Sequence, residues 1–366
     1  MENEKFLTEQ IITYIGNKRA LLTFIGDAVD LIKKDLHKTK ISAVDVFSGS
    51  GIVSRYLKQF CSELHTNDLE DYATTISKCY LTNKKDINLT LLNKYYKDVI
   101  VKVKNEKKEG FITKLYCPVD DNNIKQDERV FFKHSNGVYI DSCRQYIEEV
   151  PEPYKTLLLA PLLYEVSTKN NTSGVFKGFY KNSKTNCGQF GGNGKNALKR
   201  ILGDIELKKP VLSNYSSKVK VHQVDANLLY KELPDLDLAY LDPPYNQHPY
   251  GSNYFMLNLV NNYVEPKEIS KVSGIPVDWN KSSYNNKKSA LQSLSNLCKK
   301  LPAKYVLISF SSEGFISYNE MVKMLSKLGN VKVFNHDYNV FRACRNLNER
   351  EHIHLKEYLF LLRKEG

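Results

Sequence analysis

The sequence predicts an α/β protein built on a parallel sheet. A strand–turn–helix–strand–helix order opens the chain between residues 41 and 80, and strand-like segments return after residue 215. No internal repeat competes with this reading. The 366 residues suffice for one large domain or two ordinary ones, and 42% apolar residues with 24 Tyr and 16 Phe can fill a substantial core.

Each element follows from local pattern. In "KRALLTFIGDAVDLIKKDL" (18–36), Leu21, Leu22, Ile25, Val29 and Ile32 recur near helical spacing, which predicts an amphipathic helix. "KISAVDVFSGSGIVSRYLKQF" reads as a strand from Ile41 to Phe47, a Ser/Gly turn, and a helix carrying Val53, Tyr56 and Leu57. A second strand ends near Asn67 and a helix follows over 69–80. Between about 85 and 215 the chain turns rich in Lys, Asn, Tyr and Gly. There "KNEKKEGFITKLYCPVDDNN" and "NTSGVFKGFYKNSKTNCGQFGGNGKNALKR" read as loops joining short elements. The α/β rhythm resumes in "SKVKVHQVDANLL", "DLDLAYLDPPY", "AKYVLISFSSEGF", "VKVFNHDY" and "HLKEYLFLLRK". The simplest organisation is one α/β domain, residues 1–85 and 215–366, interrupted by a module over 86–214.

A formal charge of +12 suggests a polyanionic partner, nucleic acid first, although a Lys-rich surface alone would also produce it. The seven cysteines, at 61, 79, 117, 143, 187, 298 and 344, are never closer than 18 residues, so no Cys-x-x-Cys metal knuckle is present and reduced thiols of a cytosolic protein are expected. The charged start "MENEKFLTEQ" is not a signal peptide, and no apolar run is long enough to span a membrane.

Four aspartates end predicted strands. "DVFSGSG" (45–51) places Asp45 and Phe47 before Gly49 and Gly51, a turn that lets backbone approach a ligand and aims helix N–H groups at it. Ser54 stands where the third glycine of the dinucleotide fingerprint belongs, and no Walker lysine follows, which argues against NAD and against an NTPase. Asp68, 23 residues beyond Asp45, is placed either to accept ribose hydroxyls or to cap the helix over 69–80. Asp225 suits an adenine amine or the next helix cap equally well. In "LDPPYN" (241–246), the prolines end a strand and stiffen the turn that carries Asp242 and Tyr245. A carboxylate and a backbone carbonyl there can accept both N–H bonds of a ring-conjugated amine, favouring a nucleophilic nitrogen. An aromatic face can hold an unstacked base.

Taken in order, "YIGNKR" (14–19), "DVFSGSG" (45–51), "ND" (67–68) and "DPPYNQHPYGSNYF" (242–255) resemble the D12 class of DNA adenine-N6 methyltransferases, which includes the Dam-like enzymes. The resemblance covers roughly 1–85 and 215–366; the middle matches by position only. It implies a Rossmann-like sheet that binds S-adenosyl-L-methionine, with the inserted module reading a target in double-stranded DNA. Tyr14 and Lys18 would line the cofactor pocket, with Tyr14 where some relatives carry Trp. Phe47, Gly49 and Gly51 would form the turn under the methionine moiety after Asp45, Asp68 would take the ribose, and Asp225 the adenine edge. Asp242, also beside the cofactor, would face the target amine together with the carbonyl of Pro243, and Tyr245 would stack on the flipped adenine. "SFSSEGF" (309–315) and "YNVFRACRN" (338–346) fall where the family closes its base pocket. "NKYYKDVIVKVKNEKK" and "GQFGGNGKNALKR" supply Lys, Arg, Asn and Gln of the kinds that reach phosphates and base edges, or simply face solvent. The resemblance implies no metal, no membrane association, a bacterial cytosolic setting near the nucleoid, and either a restriction–modification system with a separate cognate endonuclease or an orphan epigenetic mark.

Three other readings remain at this stage. An RNA adenine methyltransferase is set against the large basic insertion. Cytosine-N4 methylation is set against Asp, where Ser more often precedes the prolines. An inactive DNA-binding relative is set against the intact Asp242–Tyr245 turn, and cofactor binding would discriminate it.

Overall fold

A computed structural model describes residues 1–195, 197–339 and 354–365. Seven strands form one sheet: β1 (Ile41–Asp45), β2 (Cys61–Asn67), β3 (Lys218–His222), β4 (Leu236–Leu241), β5 (Ala303–Ser311), β6 (Gly329–Asn339) and β7 (His354–Lys364). Their order is β3-β2-β1-β4-β5-β7-β6. The first five are mutually parallel, and β7 runs antiparallel between β5 and β6. From β1 the chain moves outward to β2 and β3 on one side, and from β4 to β5 on the other. The order therefore reverses between β1 and β4, where a crevice opens above the carboxyl ends of the strands.

Alternation along the strands builds a core on each face. Ile41 and Ala43 of β1, Leu238 and Tyr240 of β4, and Leu307 of β5 pack against helices α1 (Leu22–Asp35) and α2 (Ile52–Leu57). Val44, Ala239, Leu241, Val306 and Ile308 face the other way. They meet Leu294 and Leu297 of a helix over Lys287–Lys300 and Met321 of a helix over Tyr318–Leu325. The central parallel strands β1, β4 and β5 are buried on both sides, as a sheet with helices on each face requires, whereas the edge strand β3 is partly exposed.

The expected helix over 18–36 begins as a 3-10 turn (Lys18–Leu21) before α1. The strand expected to reach Phe47 pairs only to Asp45, and the helix after Asn67, here α3, spans Asp71–Tyr80. The larger difference lies in the middle of the chain. Between and around the two stretches read as loops, which hold only the end of α4, the short α5 and the start of α8, it is helical: α4 (Leu89–Asn105), α5 (Phe111–Tyr116), α6 (His134–Glu148), α7 (Tyr154–Thr168) and α8 (Leu198–Ile201). The stretch "KNEKKEGFITKLYCPVDDNN" contains α5. Helices α4 to α7 share one apolar cluster with α3, with Tyr254 and with Phe255, Met256, Leu257, Leu259 and Val260 of α10 (Phe255–Asn262), which follows the short α9 (Tyr250–Asn253). Burial around most of α7 hides its helical period, because Leu157, Leu158, Leu159, Leu162 and Leu163 are all inside. In α6 the buried Asp141 accepts the backbone N–H groups of Gly110 and Thr113, so polar residues occupy core positions there. The glycine-rich loop 188–194 is pinned by Asn171, which donates to the carbonyl of Gln189 and accepts the N–H of Gly191.

An N-terminal strap crosses these parts. The buried Arg55 of α2 donates to the carbonyls of Phe6, Glu9 and Gln10. The side chain of Gln10 bonds the backbone of Lys209 and Val211, and the N–H of Thr13 reaches the hydroxyl of Ser167. Six described cysteines are free thiols, and Cys344 lies outside the described residues. Among the described residues no helix is long and apolar enough to cross a membrane, and no group of His, Cys, Asp and Glu is placed to hold a metal ion.

Candidate active site

The crevice between β1 and β4 is a cleft with about 950 Å³ of empty space, its solvent-open mouth included. Tyr14, Lys18, Asp45, Phe47, Gly49, Asp68, Asp225 and Asp242 all line it, although they come from five separate stretches of chain. Gly51, Pro243 and Tyr245 do not.

The floor is built by the turn after β1. Gly49 (φ +48°) and Gly51 (φ +74°) both adopt the left-handed conformation that glycine tolerates. A Cβ at Gly49 would stand 2.7 Å from the ring of Tyr14, so the missing side chain lets that ring settle onto the turn. Gly51 instead closes the turn onto Ser48 and opens α2 as its N-cap. Asp68 accepts the N–H of Gly49 at 2.7 Å and that of Glu70 at 3.0 Å. The cap of α3 is Glu70, so the capping alternative for Asp68 gives way to a role in fastening the two turns together. Asp225, exposed at the rim, accepts the backbone N–H of Asn227 at 2.9 Å, a local turn that leaves it facing the cleft.

The N-terminal wall is aromatic. Tyr14 stacks on Tyr254 with ring centroids 4.5 Å apart and on Tyr250 at 5.0 Å. The Tyr254 hydroxyl accepts the N–H of Ile15 at 2.7 Å, which holds the "YIGNK" segment against α9 and the start of α10. Phe47 meets Tyr284 edge-on at 5.1 Å near the Asp225 rim. Tyr245 packs edge-on to Phe310, with its backbone carbonyl accepting the N–H of Phe315. This brings "SFSSEGF" beside the strand-end turn. The other segment expected near the base pocket lies outside the described residues from 340 to 346.

Carboxylates crowd the interior. Asp45 is 1% exposed; one of its oxygens accepts the Ser54 hydroxyl at 2.6 Å and the other has no hydrogen-bond partner among the described residues. Burial pushes its carboxyl up to about 7, against the Ser54 hydrogen bond. Burial also raises Glu70, to about 7, and Asp68. Asp242 sits at about 6, raised by burial and by Glu357 and drawn back by Lys18. The Lys18 ammonium lies 3.2 Å from Asp242 and 3.1 Å from Glu357. Burial works against that charge, but the two carboxylates hold Lys18 well above its ordinary value.

Sequence reasoning passed over Glu357, Glu70, Tyr250, Tyr254 and Tyr284. The two tyrosines of "HPYGSNYF" lay inside a stretch already singled out. Glu357 carried one signal, an acid entering the apolar run of a strand, which β7 buries completely.

Comparison with known proteins agrees with this geometry. The family profile described as D12 class N6 adenine-specific DNA methyltransferase matches residues 14–324. Type II methyltransferase M.CviAII of Paramecium bursaria Chlorella virus 1 is 31% identical over 361 residues, covering 96% of this chain and 98% of its own. Type II methyltransferase M.NlaIII of Neisseria lactamica is 27% identical, covering 96% and 99%. Type II methyltransferase M.FokI of Planomicrobium okeanokoites is 28% identical over 96% of this chain but 52% of its own length.

Proposed function

The chain belongs to the D12 class of N6 adenine-specific DNA methyltransferases, and from that premise we propose that it methylates N6 of adenine within a short specific sequence of duplex DNA, using S-adenosyl-L-methionine and extruding the target base. One observation carries the proposal. The strand-end Asp242 and the glycine turn after Asp45 open onto the same cleft at the sheet's reversal point.

The cleft suits the cofactor chemically. Asp45 keeps a buried oxygen with no hydrogen-bond partner among the described residues, and Asp68, Glu70, Asp225 and Asp242 line the same space, so the site has an excess of negative charge for a ligand carrying a sulfonium and an ammonium. When bound, S-adenosyl-L-methionine would supply an electrophilic methyl carbon: the N6–CH3 bond forms as the S–CH3 bond breaks, the neutral thioether S-adenosyl-L-homocysteine leaves with the electron pair, and one N6 proton is released to solvent. Tyr14, Lys18, Phe47, Gly49 and Gly51 would shape the pocket, with Asp68 taking the ribose and Asp225 the adenine edge. Asp242 and the carbonyl of Pro243 would accept the two N–H bonds of the target amine and localise its lone pair. Tyr245 would stack on the flipped adenine. Orientation and electrostatics supply the rate acceleration.

Residues 86–214 would read the target. Supporting this, α4 buries Leu92, Val99 and Val103 and leaves Lys94, Lys97, Lys102 and Lys104 exposed. A cognate endonuclease acting separately fits the Type II relatives.

The test is to incubate the purified protein and S-adenosyl-L-methionine with unmethylated genomic DNA and map modified bases at single-base resolution. N6-methyladenine at one short motif is expected. Unmodified DNA, or methylation appearing only on RNA, would overturn the proposal.

A further inference from the structure

Lys18 is held from two sides by carboxylates that the chain brings together from opposite ends. Glu357 enters from β7, fully buried, and its Oε1 accepts the Ser309 hydroxyl of β5 at 2.6 Å while facing the Lys18 ammonium at 3.1 Å. The same ammonium reaches Asp242 at 3.2 Å. The second oxygen of Glu357 is buried with no hydrogen-bond partner among the described residues. A wholly buried carboxylate is costly unless a positive charge compensates it. One ammonium shared between two carboxylates leaves this trio with a net negative charge.

We infer that Glu357 is a positioning residue for methyl transfer: it seats Lys18 against Asp242, and its charge sets the pH at which Asp242 becomes a hydrogen-bond acceptor. The inference rests on the reading of Asp242 as the group facing the target amine. A protonated carboxyl offers that amine one acceptor fewer and a competing donor, so the rate should fall as Asp242 gains its proton. Glu357 repels negative charge on Asp242 and Lys18 favours it. The two partners therefore move the titration in opposite directions. Other ionisable groups facing Asp242 are Asp45 on β1, Tyr240 on β4 and Tyr250 on α9. Both tyrosines are held well above their ordinary values by burial, so they stay neutral through the range concerned.

The experiment reads Asp242 directly. Full-length protein labelled with ¹³C at the aspartate side-chain carboxyls is titrated by NMR, the Asp242 signal being assigned by its loss in Asp242→Asn. Single-turnover methylation rates are measured across the same pH range. Glu357→Gln keeps the shape and the acceptor for Ser309 but removes the charge. It should lower the Asp242 midpoint by about one pH unit, with the acid limb of the rate following. Lys18→Gln should raise both. Ser309→Ala, a milder change that removes the hydrogen bond holding Glu357 Oε1 beside Lys18, should lower them slightly and serves if Glu357→Gln folds poorly. An unmoved midpoint in Glu357→Gln, or in Ser309→Ala where that variant stands in, or a rise in either, overturns the inference. Absence of N6-methyladenine from the native protein would instead count against the proposed function, and the NMR midpoint would still decide the role of Glu357 on its own.

Discussion

Asp45 and Asp242 sit at or just beyond the ends of neighbouring parallel strands, with Asp45 opposite Tyr240 in the register, yet their surroundings differ in kind. Asp45 is sealed, bonded to the neutral hydroxyl of Ser54, and keeps one oxygen with no hydrogen-bond partner among the described residues. Asp242 has its countercharge built in, because Lys18 lies against it. A carboxylate that lacks a protein cation is prepared for a charged ligand. One already paired can stay ionised at the reaction centre without such a ligand. The contrast fits the proposed roles, Asp45 in binding and Asp242 in chemistry, and each can be broken.

The largest effect should come from Asp242→Ala. Single-turnover methyl transfer should drop by at least about 100-fold, the scale of a lost electrostatic contact in an active site. Cofactor affinity, measured by calorimetry, should stay within about tenfold of the native value, since a one-unit pKa difference is about 1.4 kcal/mol. Parallel losses in affinity and rate would erase the distinction between the two aspartates. Asp45→Asn should do the reverse, weakening cofactor binding by about tenfold with a smaller change in the rate at saturation. Gly49→Ala tests the backbone side of the same wall. Its left-handed φ and the Tyr14 ring 2.7 Å away should cost about 1–2 kcal/mol in thermal unfolding.

The remaining effect is one of pH. Asp45 and Glu70 have folded values near 7, raised above those of free carboxyls, so ionising them costs the folded state more than the unfolded one. Their contribution to stability is therefore greatest in acid and declines as pH rises from about 4 towards 7, then levels. Melting temperature followed across that range should show a flatter decline in Asp45→Asn. An identical slope would mean that Asp45 is not the strained group.

Where function depends on short local patterns, the sequence was readable. The strand-end aspartates, the glycine turn and the paired prolines announce themselves because a turn needs particular residue types at fixed spacing. All four aspartates do face the cleft. Helices α6 and α7 were illegible for a physical reason. Burial on most sides of α7 removes the period, and buried polar residues such as Asp141 and Arg144 break the pattern in α6, where Arg144 donates to the carbonyls of Val260 and Asn261. Glu357 was missed because its meaning lies in a partner 339 positions away in the sequence. No window along the chain contains both.

The placement of β7 also bears on how the protein comes into being. The last strand in the described chain is an interior strand, lying between β5 and β6 and carrying the carboxylate that seats Lys18. During synthesis from the N-terminus, β5 must present a bare edge and β6 must wait unpaired until residues 354–364 have emerged. Lys18 is made 339 residues before Glu357, its second counterion. The glycine turn can fold before β7 has emerged, but the charge arrangement around Asp242 closes only once residues 354–364 pair.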